Sequence, residues 1–180
     1  MLLMRKTTTK DAELLSQLLE TSYRFHFSDL WHDNDELEEY IAGVCSIEQI
    51  SNSLNTPNHR WFIAESHHSV SADTDHSNII GFGKIIFNQP IPDSDFVGTY
   101  LHKFYLMPHL TGQKYGDQLF DHVVKLCQEQ EQEWLWLEVL EQNTSAIKFY
   151  VRKGLKWQKN IIFSSPKQKS TMHIMVKRLD

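Results

Sequence analysis

The chain has 180 residues, 41% hydrophobic and 23% charged, enough for one domain with a sizeable core. Its net charge is −5, with 18 basic against 23 acidic side chains, so no overall basic field argues for nucleic acid. No apolar run approaches the roughly 20 residues of a membrane span, and the two cysteines, Cys45 and Cys127, make no disulfide framework.

The start, Met-Leu-Leu-Met-Arg-Lys, has its charges after a short apolar stretch, the reverse of a secretory leader, so a cytoplasmic location is expected. Leu2 to Arg5 reads as a first strand. Leu14, Leu15, Leu18, Leu19 and Tyr23 recur at helical spacing from about Lys10 to Phe27, behind the capping candidates Thr8 and Thr9. A second helix is expected after Asp33, with Leu37, Tyr40, Ile41 and Val44 on one side. A third covers residues 46 to 54 and stops before Pro57.

The period then changes. "RWFIAES" and "NIIGFGKIIFNQ" are β-rich runs separated by "HHSVSADTDH", read as an exposed hairpin loop. His67, His68, Asp73, Asp75 and His76 invite a metal there, but a loop without fixed supporting partners makes a poor site, and no metal is expected. "TYLHKFYLM" is a fourth strand ending at Pro108, and a helix is expected to run on to about Gln130. "WLWLEVL" has the near-continuous apolar character of an interior strand. Asn143 to Lys153 reads as a helix with Asn143 as its cap and Gly154 as its stop. Two strands, Lys156–Phe163 and Thr171–Arg178, close the chain around "SSPKQKS". The order predicts a single α/β domain over residues 1–180, one mixed sheet with helices packed on it.

Between the fourth strand and its helix lies Thr111-Gly112-Gln113-Lys114-Tyr115-Gly116. The first backbone N–H groups of a helix have no internal partners, and with the helix dipole they make an anion site. Glycines let the main chain approach a phosphate closely. By itself the pair Gly112 and Gly116 fits a tight turn as well. It is neither a P-loop nor a dinucleotide fingerprint, since both need residues absent here.

Two stretches carry a resemblance. "NTSAIKFYVRKGLKW" sets Asn143, Ala146, Phe149, Tyr150 and Gly154 in the pattern N-x-x-A-x-x-F-Y-x-x-x-G, and "HKFYLMPHLTGQKYGDQLF" joins a strand, a proline, the glycine turn and an apolar helix. Together they resemble the signature segments of the GNAT acetyltransferases, and the first helices are similar to the PaiA-type polyamine N-acetyltransferases of bacteria. The resemblance implies a central, mostly antiparallel mixed sheet of about seven strands, splayed between strands four and five around acetyl-CoA. Main-chain groups of Phe104, Tyr105, Leu106 and Met107 would then pair with the pantetheine arm. The amides of Thr111, Gly112, Gln113, Lys114, Tyr115, Gly116 and Asp117 would hold the pyrophosphate. Asn143 would bond the pantetheine side, and Tyr150 would face the thioester sulfur. The family loop usually reads Gln/Arg-x-x-Gly-x-Gly/Ala, and here the marked positions are Thr111, Lys114 and Gly116. A lysine in place of the middle glycine is expected to disturb the turn or remodel its phosphate contacts.

The implied reaction is attack of an amine on the acetyl thioester. An amine with pKa near 10.4 is protonated at neutral pH, so something must take its proton. His102, two residues before Phe104, is one candidate base and Glu138 on the opposing strand another. Tyr150 is the candidate acid for the departing thiolate. In "DLWHDNDELEE", six acids in eleven positions, Asp33 and Glu36 with Trp31 and Tyr23 are candidates for an acceptor wall attractive to a polycation. An ordinary solvated helix start explains the same acids. The expected enzyme transfers acetyl to a small amine such as a diamine or polyamine, needs no metal, nucleic acid or membrane, and could be a homodimer. A non-catalytic acyl-CoA sensor, or an acetyltransferase acting on protein amines or aminoglycosides, are the alternatives.

Overall fold

The computed structural model describes residues 1–68, 78–110 and 112–180. Its elements in chain order are β1 (Leu3–Lys6), α1 (Ala12–Phe27), α2 (Asn34–Val44), α3 (Ile47–Leu54), β2 (His59–Glu65), β3 (Ile79–Pro90), β4 (Val97–Leu106), α4 (Tyr115–Glu129), β5 (Trp134–Leu140), α5 (Thr144–Arg152), β6 (Lys156–Ser165) and β7 (Gln168–Arg178). Each predicted element is present, with ends shifted by a few residues. Most of the histidine- and aspartate-bearing loop, residues 69–77 with Asp73, Asp75 and His76, lies outside the described residues, as does Thr111.

The seven strands form one sheet in the order β1-β2-β3-β4-β5-β7-β6. β1 and β2, β5 and β7, and β6 and β7 pair antiparallel, whereas β4 and β5 run parallel. The parallel ladder comprises two pairs, Thr99↔Leu135 and Tyr100↔Trp136. The chain divides into two compact units, one of residues 1–84 and 103–123, the other of residues 85–102 and 124–180.

In the first unit α1, α2 and α3 cover one face of the sheet. Leu15, Leu18 and Leu19 of α1, Leu37 and Ile41 of α2 and Ile50 of α3 bury against Trp61, Ile63 and Phe82, with Tyr105 and Met107 packed alongside. Burying each such aliphatic side chain contributes about 1.5–3 kcal/mol, which outweighs the weak intrinsic propensity of these short helices. Of the capping candidates Thr8 and Thr9, Thr8 forms a capping box with Asp11 around a separate turn at Thr9–Asp11, so α1 begins at Ala12 rather than Lys10. The opposite face receives the start of α4, where Phe120 meets Phe104 edge-on at 6.3 Å and His122 meets Phe62 at 5.2 Å.

In the second unit Ile91, Trp136 and Ile174 make a core on one face, joined by Tyr100, Ile161 and Val176. Ile147 and Val151 of α5 lie on the other face, where with His173 and Met175 they line a cavity of about 600 Å³. The Asn143 side chain caps α5 by accepting from the Ala146 N–H at 3.3 Å, and Gly154 ends it at a φ of +88°, as its sequence predicts.

Candidate functional site

The glycine turn of the first unit passes through two left-handed residues, Gly112 at φ +82° and Lys114 at φ +62°, before α4 starts at Tyr115. Lys114 therefore adopts the conformation that a glycine would adopt more easily. The turn is retained, and a left-handed lysine costs roughly 1–2 kcal/mol in its place. Gln113 and Lys114 are exposed, and the first amides of α4, at Tyr115, Gly116 and Asp117, face the end of the helix where the dipole is positive.

β4 leads into this turn, and its neighbour β3 fixes which main-chain groups it can offer. The Met107 N–H donates to the Ile80 carbonyl at 2.9 Å. A Cβ on Gly81 would sit 2.5 Å from the Tyr105 carbonyl oxygen, and one on Gly83 would sit 2.7 Å from that of Lys103. Residues 103, 105 and 107 thus turn their main chain towards β3. By the two-residue alternation of a strand, Phe104 and Leu106 direct theirs to the opposite edge, so of the four residues named from sequence these two are suited to pairing with an added strand. His26 approaches the Leu106 carbonyl with Nε2 at 3.4 Å.

The residues predicted for the acceptor wall lie together in the same unit. Trp31 Nε1 donates to the Tyr23 hydroxyl at 3.1 Å, and both rings stand 5.2 Å from Tyr40. Burial, with Tyr40 beside it, pushes the Tyr23 phenol well above its ordinary value. The carboxylates divide into two groups. Asp33 caps α2 by accepting from the Glu36 N–H at 3.0 Å, and Glu38 pairs with Arg24 at 2.7 Å, whereas Asp29, Asp35 and Glu39 are exposed.

In the second unit the structure links the two base candidates through a residue that sequence reasoning missed. Tyr100 stacks on Trp136 with ring centres 4.2 Å apart, and His102 stacks on Tyr100 at 5.2 Å. The Tyr100 side chain also hydrogen-bonds Glu138. Burial raises the Glu138 carboxyl above its ordinary value, and the bond from Tyr100 draws it part of the way back. The signal in sequence was only that residues 100 and 102, two apart on a strand, share a face. Their juxtaposition with Glu138 needed the β4–β5 register.

Tyr150, on α5, is 8% exposed, and burial pushes its phenol well above its usual value. It remains a protonated donor across neutral pH. Asn143 accepts at Oδ1 from Ala146 and from the Ser145 hydroxyl, which leaves its amide N–H₂ to donate elsewhere. Among the described residues no cluster of three or more His, Cys, Asp or Glu is placed to hold a metal ion. No described helix is long and apolar enough to cross a membrane.

A sequence model of the acetyltransferase (GNAT) family matches residues 9–155. Among solved structures, the chain is similar to PaiA N-acetyltransferase of Thermoplasma acidophilum in complex with coenzyme A, at 20% identity and a TM-score of 0.75, covering 99% of each chain. It is also similar to NAA60 of Arabidopsis thaliana, crystallised with a bisubstrate analogue, at 18% identity and a TM-score of 0.71 over all of both chains. Spermidine/spermine N-acetyltransferase SpeG of Vibrio cholerae matches at 16% identity and a TM-score of 0.63, covering 99% of this chain and 95% of the other.

Proposed function

The chain belongs to the acetyltransferase (GNAT) family, and from that premise we propose that it transfers the acetyl group of acetyl-CoA to a primary amine by direct attack on the thioester. The observation that carries this reading is the left-handed turn at Gly112 and Lys114 opening onto the start of α4, a main-chain cradle of the kind that grips a diphosphate. In this reading the amides from Gly112 to Asp117 hold the pyrophosphate. Phe104 and Leu106 pair with the pantetheine arm, and the Asn143 amide donates to one of its carbonyls.

The amine nitrogen attacks the carbonyl carbon, the C–S bond breaks, and the thiolate leaves. Tyr150 supplies a proton to that sulfur, or a hydrogen bond that stabilises its growing charge in a dry site. Glu138 takes the amine proton, directly or through water. Its raised pKa brings the carboxylate nearer the working pH, where a general base is most effective. Tyr100 holds the carboxylate in place, and His102, exposed, stacks on the Tyr100 ring.

For the acceptor we favour a small di- or polyamine. The exposed Asp29, Asp35 and Glu39 near the Tyr23–Trp31 pair would attract a polycation and hold the nitrogens that do not react. Incubation with acetyl-CoA and a panel of diamines, polyamines, peptide N-termini and aminoglycosides, followed by free-thiol release, tests both parts. Release with polyamines is the expected result. Release confined to peptides or aminoglycosides would correct the acceptor, and coenzyme binding with no release for any amine would leave a sensor rather than an enzyme.

A further inference from the structure

The inner face of the first unit's sheet holds two lysines that the proposed reaction does not use. Lys84 on β3 is 6% exposed, and its Nζ lies 5.4 Å from the centre of the Trp61 ring on β2. Lys103 on the adjoining β4 shares this face, because its alternation matches that of Tyr105 and Met107, which pack against the helices. Trp61, Lys84 and Lys103 thus form a row across three neighbouring strands. Burial lowers both ammonium pKa values, that of Lys84 to about 8 with Lys103 adding repulsion.

A buried cation is ordinarily paired, since leaving it unpaired costs several kcal/mol. Here no described carboxylate forms an ion pair with either lysine. The surrounding polar groups satisfy one another instead. Trp61 Nε1 donates to the Ser53 hydroxyl at 2.9 Å, and Ser53 meets His59 Nδ1 at 2.8 Å. Glu20 and Glu38 are both held by Arg24. The Cys45 thiol, near Lys103, is pushed up to about 11 by burial, so it supplies no thiolate. Burial and the nearby Lys84 also lower the His59 pKa, so that ring is not a third cation at neutral pH. Among the described residues only the side-chain atoms Trp136 Nε1 and His173 Nε2 are sealed from solvent without a hydrogen-bond partner, so the Lys84 ammonium keeps an outlet.

We propose that Lys84 and Lys103 form a binding site for one oxyanion group, a carboxylate or a phosphate carried by a small molecule, seated beside the Trp61 ring. Two ammonium groups from adjacent strands can grip two oxygens of such a group, and the apolar surround strengthens each contact by excluding water. The Trp61 ring beneath Lys84 holds that ammonium in place, so the anion meets the two ammonium groups rather than the ring face. The site lies on the interior face of the first unit and is separate from the glycine turn, so it is independent of the coenzyme phosphates.

The test uses the full chain without coenzyme, titrated with sodium phosphate in one arm and sodium succinate in another, against sodium chloride at matched ionic strength. Thermal unfolding should show a saturable gain of about 3–6 °C at ten times the dissociation constant in whichever arm matches the ligand. Lys84→Met and Lys103→Met should abolish the gain, and Lys84→Met should also raise the melting temperature in chloride, because an unpaired buried charge has gone. Lys10→Gln, an exposed lysine elsewhere, should keep the full gain. An equal gain in wild type and Lys84→Met is a general salt effect and overturns the proposal. If the methionine variants do not fold, ¹³C-lysine spectra of the wild-type chain decide the matter. Saturable movement of the Lys84 and Lys103 Cε resonances supports the site, and their constancy up to tens of millimolar phosphate and succinate rejects it. Because no coenzyme is present, failure here leaves the acetyl-transfer reading intact.

Discussion

Replacing Tyr150 by phenylalanine removes one hydroxyl and keeps the ring that fills its buried position. Tyr150 is 8% exposed and meets Phe149 at 5.5 Å, and a phenylalanine ring preserves that packing. Loss of the hydroxyl should therefore change stability by no more than about 1 kcal/mol, or a melting temperature within about 4 °C of wild type. The catalytic effect should be far larger. Deleting one aligned donor from a developing anion costs about 10²–10³ in kcat. A thiolate, being a weaker acceptor than an alkoxide, points to the lower end. A hundredfold fall in kcat corresponds to about 2.7 kcal/mol.

The same burial predicts a pH signature. Because the folded-state phenol is raised above its unfolded value near 10, it stays protonated up to and beyond pH 10. The wild-type rate should thus show no alkaline limb from Tyr150 below pH 10. The matching stability term is present below about pH 10 and is lost as pH climbs towards the folded value. Steady-state thiol release with saturating amine, across pH 6–10, measures both quantities. A variant that keeps more than half of wild-type kcat refutes the proton-donor role. A variant whose KM for acetyl-CoA rises a hundredfold at constant kcat assigns the hydroxyl to uniform coenzyme binding instead.

Other perturbations address neighbouring parts of the site. Lys114→Gly should raise the melting temperature by about 1–4 °C by relieving the left-handed lysine, net of glycine's larger unfolded-state entropy. Calorimetry should show coenzyme affinity falling severalfold at low salt, a difference that fades as salt rises. Asn143→Ala should lose about 1 kcal/mol with its cap, whereas Asn143→Asp keeps an acceptor for the Ala146 N–H and holds stability. Both should weaken coenzyme binding about tenfold, because both lack the amide donor. Tyr100→Phe removes the hydrogen bond that favours the Glu138 carboxylate, so the Glu138 pKa should rise further. The base form is present above that pKa, so the acidic limb of the kcat/KM profile should move to higher pH. An unmoved limb would exclude Glu138 as the base.

Local rules settled much of this protein from sequence. The Asn143 cap, the Gly154 stop and the helical period between them define α5 without reference to any distant residue. The same holds for the change from period 3.6 to period 2 between α3 and β2, and for the strand, turn and helix around Gly112. Interactions between residues a few positions apart are written into order and spacing, so chemistry alone places them. The start of α1 moved to Ala12 because the Thr8–Asp11 capping box closes a separate turn at Thr9–Asp11 ahead of the helix.

What tertiary structure decided is a matter of register and burial. Tyr100 meets Glu138 only because Tyr100 pairs with Trp136 across a parallel ladder, and a slip of one residue would send it to the other face. Phe104 and Leu106 differ from Tyr105 and Met107 only because β3 occupies one edge of β4. The acid run from Asp29 to Glu39 is uniform in sequence, yet Arg24 and the cap of α2 claim particular members of it. Lys84 and Lys103, nineteen positions apart, become neighbours when their strands align, and burial alone distinguishes them from ordinary surface lysines. Each of these outcomes depends on which distant segment supplies the dielectric and the partner, and neither is encoded in the residue's own neighbours along the chain.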